Sequence, residues 1–307
     1  MQGEKTILSI QSFVTHGYVG NKAATFPLQL HGFDVDAINT VSVSNHSGYP
    51  IIRGHRMDLQ EYETLMEGIR ANNFLSSYRY LLTGYINNPE IILKVSETLK
   101  ELRALREKEG KEVTFFCDTV MGDDGIMYCK PEVIEAYREL IKFADIATPN
   151  YYEAGLLSGI NITDMESAIK CVDWFHAQGT KTVIIKSFRT KEEPTQLQFL
   201  ISSIKIQNDD NNKVPATPRR WTGIVPYHEG RYTGTGDLFA ASLLAFSHDH
   251  PLEIAVGKAM AVLQDTILET RKEGGDGNSS LASRELRVTK SPNILLNPVT
   301  VVVVKPM

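Results

Sequence analysis

The chain has 307 residues, a formal net charge of −5 and no run of basic residues, which gives no footing for nucleic-acid binding. That length is enough to bury the core of one large α/β domain or of two smaller ones. The cysteines, Cys117, Cys129 and Cys171, are odd in number and lack metal-ligand spacing, so they read as reduced thiols of a cytoplasmic protein. No secretory pattern follows Met1, and the apolar run Val299–Val304 is too short to cross a bilayer and predicts a terminal strand.

Taken in order, Thr6–Ile10 is β-branched and apolar and predicts a buried first strand, followed by a polar, Gly-punctuated loop from Gln11 to Asn21. Asn21 is placed to cap a helix carrying Ala23, Ala24, Phe26 and Leu30. Residues 33–43 read as a strand-pair region. It feeds Ser44-Asn45-His46-Ser47-Gly48-Tyr49-Pro50, which suits either a small polar ring or a plain surface turn. A helix is expected over 58–70, a strand over 80–85, a helix over 90–108 and a strand over 113–118. Asp118, Asp123 and Asp124 lie just beyond that strand, as either a Mg²⁺ neighbourhood or a solvated acidic turn.

Helices over 131–142 and 165–178 and a strand over 182–187 come next. Asn150 and Glu153 have the spacing of a capping box, and the same pair presents two oxygen-bearing groups at a strand end; both readings stand. A strand is read over 197–206, residues 207–218 as a mobile loop, and Arg219, Arg220 and Arg231 as cations able to neutralise phosphate. A helix over 252–271 precedes the terminal strand. Strands and helices alternate throughout, which predicts a single α/β domain over 1–307 with a mainly parallel sheet and helices on both faces.

Gly234-Thr235-Gly236-Asp237 opens a long apolar helix. Free backbone N–H groups at such a terminus, backed by the helix dipole, suit phosphate or a developing negative charge. An aspartate there would repel a resident phosphate unless it takes a proton from an attacking hydroxyl, the general-base role in phosphoryl transfer. Simple helix capping is the alternative. Neither Gly-x-Gly-x-x-Gly nor a Walker lysine is present. Polar residues recurring at strand ends, Ser12, Asp118, Thr148 and Ser187, favour the catalytic reading.

These segments resemble the pyridoxal kinase family of the ribokinase-like superfamily. The specific part lies in Ser9–Ser12, Gly17–Gln29, Ser44–Tyr49 and Leu82–Tyr85; Thr148-Pro149-Asn150-x-x-Glu153 and Gly234–Asp237 are shared across the superfamily. The resemblance implies a three-layer α/β/α sandwich and ATP-dependent phosphorylation of the 5′-hydroxymethyl group of pyridoxal, pyridoxine and pyridoxamine. Asp237 would be the base, with Gly234, Thr235 and Gly236 forming the anion hole. Ser12, Val19, Ser47 and Tyr85 would contact the vitamer. Asp118, Asn150, Lys186, Ser187 and Thr235 would hold ATP. Asp118, Asp123, Thr148 and Glu153 would serve Mg²⁺ and a monovalent cation such as K⁺. The resemblance also implies a homodimer. Three departures stand out: Thr119 where proline is frequent, Ser47 for threonine, and Lys186 where a hydroxyl residue is usual at the monovalent-cation site. A hydroxymethylpyrimidine kinase and a non-catalytic vitamin B6 binder are the rival readings.

Overall fold

The computed structural model describes residues 5–190, 195–204, 206–209, 212–215, 217–275, 280–290 and 292–307. The chain opens with β1 (Thr6–Val14), α1 (Asn21–Leu30), β2 (Asp34–Val43), β3 (Gly54–Arg56), α2 (Leu59–Ala71), β4 (Tyr80–Thr83), α3 (Pro89–Glu107) and β5 (Thr114–Cys117). A short hairpin, β6 (Gly122–Asp123) and β7 (Ile126–Met127), leads to α4 (Val133–Leu140), β8 (Ile146–Ala147), α5 (Tyr151–Ser158), α6 (Met165–Gln178), β9 (Thr182–Phe188) and β10 (Gln196–Ser203). Then come β11 (Ile206–Asp209), β12 (Asn212–Pro215), β13 (Arg219–Pro226), α7 (Thr235–Ser247), α8 (Leu252–Gly274), α9 (Pro292–Leu296) and β14 (Lys305–Pro306).

One ten-stranded sheet has the order β14-β13-β10-β9-β8-β5-β4-β1-β2-β3. The run from β9 to β2 is parallel, while β3 and the opposite edge, β10, β13 and β14, pair antiparallel. Strand alternation sorts the core into two faces. Leu8, Leu81, Phe115, Val183 and Leu200 pack with side chains of α2 to α6. Their neighbours Ile7, Leu82, Phe116, Ile184 and Phe199 pack with α1, α7, α8 and α9. The result is the expected layering of helices on both faces of a mainly parallel sheet. From β1 the chain adds β2 on one side and β4 on the other, so the carboxyl ends of β1 and β4 flank a topological switch point, where open α/β sheets bind ligands.

Several local expectations need correction. β1 runs to Val14, pairing with β2 across a register shift at Gln11/Ser12, so Ser12 lies in the strand rather than in a loop. Asn21 does not cap α1: Gly20 holds that position without a side-chain cap bond. The Asn21 side chain turns inward, accepting from Ser9 Oγ at 2.7 Å and donating to Ile38 O at 3.1 Å and Asn39 Oδ1 at 2.9 Å. Buried polar partners outcompete a cap. The 33–43 region contributes one strand, β2, whose antiparallel partner β3 comes later. The stretch expected as a loop over 207–218 contains the β11–β12 hairpin, with residues 210, 211 and 216 outside the described residues. The terminal strand is only Lys305–Pro306, because the Val299 and Thr300 amides donate to the Asp265 carboxylate instead of joining the sheet. Among the described residues no helix is long and apolar enough to cross a membrane, and the three cysteines are free.

Phe116 is buried at the centre of the sheet between Leu82 and the helices behind it. Phe116→Ala is expected to destabilise the fold by about 3–5 kcal/mol, read as a lower urea midpoint at an unchanged slope.

Candidate active site

Gly234 caps α7 at φ 85°, a left-handed conformation that favours glycine. A Cβ there would stand 2.0 Å from the Tyr18 carbonyl oxygen, so the turn presses directly on the loop that follows β1. Thr235, Gly236 and Asp237 form the first turn of α7, whose unpaired amides and dipole create an electropositive end. Leu238 to Phe246 are all buried, which fixes the axis of that dipole. Asp237 is half-buried. Burial and the nearby Asp118 charge push its carboxyl up, the Gly20 amide and Lys186 pull it back, and the balance is a pKa of about 6.

Beneath this turn lies an ion pair. Lys186 Nζ, on β9, is 2.6 Å from Asp118 Oδ1, just past β5, and Thr148 Oγ1, just past β8, donates to the same oxygen at 2.8 Å. The two side chains are 12% and 1% exposed. A Cβ on Gly236 would lie 3.2 Å from Lys186 Nζ and 3.4 Å from Asp118 Oδ2, so the absence of a side chain lets α7 approach the pair. Burial lowers the Lys186 pKa, but the Asp118 and Glu153 carboxylates more than offset it, leaving it raised. Asp118 Oδ2 is buried without a hydrogen-bond partner. That orphaned acceptor fits a site completed by a cation or a hydrated ion.

The Asn150–Glu153 capping box is present: Glu153 N donates to Asn150 Oδ1 at 2.8 Å and Asn150 N to Glu153 Oε2 at 2.9 Å. Met121 N donates to Glu153 Oε1 at 3.1 Å, so both carboxylate oxygens are engaged by backbone. Burial raises the Glu153 pKa. Asn150 Nδ2 donates to Gly122 O at 2.8 Å, tying α5 to the β6–β7 hairpin that carries exposed Asp123 at its tip. Among the described residues no three His, Cys, Asp or Glu side chains converge as a metal cage. Ser187, beside Lys186 on β9, is half-buried.

The other wall comes from the loops after β1, β2 and β4. Val19 and Tyr85 pack with Val14, Val41 and Val43 into a small apolar cluster, and burial pushes the Tyr85 phenol up to about 12. Ser12 is buried, with its carbonyl and hydroxyl against Gly20, while Ser47 is exposed on its loop. Arg220 is ion-paired to Asp173, Arg219 sits over the Trp221 ring, and Arg231 is exposed. Sequence reading overlooked Glu285, whose buried carboxylate reaches Tyr18 and His46. Only its position beyond the last assigned helix marks it, and its partners lie far away in sequence.

An aspartate in the first turn of α7, a buried Lys–Asp pair beneath it, and apolar and hydroxyl side chains gathered at the switch point are the features of a ribokinase-like small-molecule kinase. A family model described as phosphomethylpyrimidine kinase matches residues 75–281. Human pyridoxal kinase is 38% identical over 98% of this chain and 98% of its own. The structure of Leishmania donovani pyridoxal kinase in complex with ADP and pyridoxamine is 61% identical, covers 99% of each chain and superposes with a TM-score of 0.93. Pyridoxal kinase from Trypanosoma brucei is 62% identical over 99% of each chain, with a TM-score of 0.87. The chain belongs to the pyridoxal kinase family.

Gly234→Ala tests the turn. The positive φ alone costs about 1–2 kcal/mol, and the clash with Tyr18 O must displace the first-turn amides of α7. A lower melting temperature with turnover reduced on the order of tenfold or more is expected, measured by thermal melt and phosphoryl-transfer assay.

Proposed function

We propose that the chain, as one domain over 1–307, transfers the γ-phosphoryl group of ATP to the 5′-hydroxymethyl group of pyridoxal, pyridoxine or pyridoxamine. The observation that carries this is Asp237 in the first turn of α7, with a pKa near 6 and beside the Lys186–Asp118 pair. Asp237 takes the proton of the vitamer hydroxyl as its oxygen forms a bond to the γ-phosphorus. The bond from that phosphorus to the β–γ bridging oxygen breaks, and ADP leaves. The Gly234, Thr235 and Gly236 amides face the charge that develops on the transferring group. Ser12, Val19, Ser47 and Tyr85 form the vitamer pocket. Asn150, Ser187 and Thr235 serve the nucleotide, while Asp118, Asp123, Thr148 and Glu153 serve its hydrated metal. Support comes from the Leishmania donovani relative, in complex with ADP and either pyridoxamine or pyridoxine.

Mg²⁺ bound with ATP would neutralise phosphate charge. Asp118 suits it through its unpartnered oxygen, and Glu153, whose two oxygens each accept one backbone N–H and keep further lone pairs, would hold a water of the hydrated ion. The Lys186 ammonium already supplies a fixed positive charge against Asp118. It therefore takes the role of the monovalent cation that the resemblance implies, and replacing Na⁺ with K⁺ should change turnover by less than about twofold. A strong K⁺ requirement would return that role to the ion. Cytoplasmic residence and a homodimeric state complete the reading.

Asp237→Asn should lower kcat by about 10²–10⁴ with little change in KM. Asp237 must be ionised to act, so kcat/KM should fall as pH drops below about 6 and level off above it. Near-normal turnover of the variant would remove Asp237 from the mechanism. The match to a phosphomethylpyrimidine kinase model supports a second reading with the same chemistry on a pyrimidine. Comparing kcat/KM for pyridoxal and hydroxymethylpyrimidine decides between them.

A further inference from the structure

Glu285 directly follows a 3₁₀ turn (Ala282–Arg284), and its carboxylate is buried where three site segments meet. Oε2 accepts from the Tyr18 amide at 3.3 Å. Oε1 is 3.1 Å from His46 Nε2, in a contact bent away from ideal donor geometry, and neither of those two atoms has another hydrogen-bond partner. The Glu285 and His46 side chains are 3% and 8% exposed. Gly17 closes over the carboxylate: at φ 86°, a Cβ on it would stand 2.2 Å from Oε2. The backbone bridges Glu285 to Thr233, and Thr233 N donates to Arg284 O at 2.9 Å.

The chemistry of these contacts is directional. Gly48 N–H donates to His46 Nδ1 at 3.0 Å, so the imidazole carries its proton on Nε2, the nitrogen 3.1 Å from Glu285 Oε1. The Tyr49 ring packs on His46, with centroids 4.8 Å apart, and its phenol is raised by burial and by the Glu285 charge. Burial raises the Glu285 carboxyl, but His46, the Tyr18 amide and Tyr49 outweigh it and hold it below the usual carboxylate range. One ionised carboxylate thus faces both the Gly17–Val19 loop and the His46–Tyr49 loop, while its backbone holds the residue before Gly234. Ser47 and Val19 are the neighbours of the two residues it grips.

We propose that Glu285 is a positioning residue for vitamer binding, acting through His46 and the Tyr18 amide to set Ser47, Val19 and the Gly234 turn in one geometry. The proposal rests on the kinase reading above. It assigns to Glu285 no contact with the vitamer and none with the nucleotide.

Glu285→Gln is the test. A carboxamide presents one acceptor oxygen where two donors converge, so either the Tyr18 or the His46 contact must fail while size is kept. The expected result is a pyridoxal KM raised about tenfold, with the ATP KM within about twofold of the parent. The double variant with His46→Gln should lose less than the sum of the single losses, because both act through one contact. A pyridoxal KM within twofold of the parent, or equal rises in both KM values alongside a lower melting temperature, would overturn the proposal. Should Glu285→Gln fail to fold, His46→Gln alone must show the same split between the two KM values, or the proposal fails. An unsubstituted protein that does not phosphorylate pyridoxal overturns the kinase reading itself; one that does, with an unaffected Glu285→Gln variant, overturns only the positioning role.

Discussion

The buried contact between Lys186 and Asp118 is the constraint on which the site depends. Two charges removed from water are costly unless they face each other at close range and their remaining atoms are satisfied. Here the ammonium lies 2.6 Å from one carboxylate oxygen, Thr148 donates to the same oxygen, and the second oxygen has no partner. Desolvating a pair is costly, and a hydrophobic replacement would serve stability as well. Its placement past β5 and on β9, under the first turn of α7, is where the proposed phosphoryl transfer would use it.

That placement follows from the sheet. Parallel strands deliver all their carboxyl ends to one edge, so Ser12, Asp118 and Thr148 reach the same edge of the sheet from strands far apart in sequence. The two apolar faces set which side of the sheet α7 occupies, and the bulk of Leu238 to Phe246 sets its distance. Glycine does the rest. Gly234 and Gly236 lack the Cβ atoms that would collide with Tyr18 or crowd the ion pair.

Much of this was legible in the chain. Alternating apolar runs marked the strands, and the Asn150–Glu153 spacing marked a capping box that exists as expected. Gly234–Asp237 marked both the helix start and the candidate base, because local chemistry there determines local structure. The failures share a cause: a distant partner claimed a side chain or amide that looked locally committed. Asn21 was read as a cap and is instead held by Ser9, Ile38 and Asn39. Val299 and Thr300 were read as strand and are held by Asp265. Glu285 carried no local signal, since its bond to Tyr18 spans 267 positions. Lys186 was visible as an oddity at a strand end, but only its contact with Asp118 gives the oddity a physical meaning.

Under the proposed kinase reading, the site also resolves the conflict of an aspartate at a helix terminus facing a phosphate. Two carboxylates and a phosphate-bearing ligand in one crevice would repel strongly without compensation. In that reading the α7 amides, its dipole and the Lys186 ammonium would supply that compensation from fixed positions, with no reorganisation required when charge moves. The same opposing influences act on Asp237. Burial and Asp118 favour its neutral form, while Lys186 and the Gly20 amide favour the charged one. A carboxylate balanced near pH 6 is a stronger base than an ordinary aspartate and remains mostly ionised at neutral pH, the combination that the proposed abstraction of a hydroxyl proton would demand.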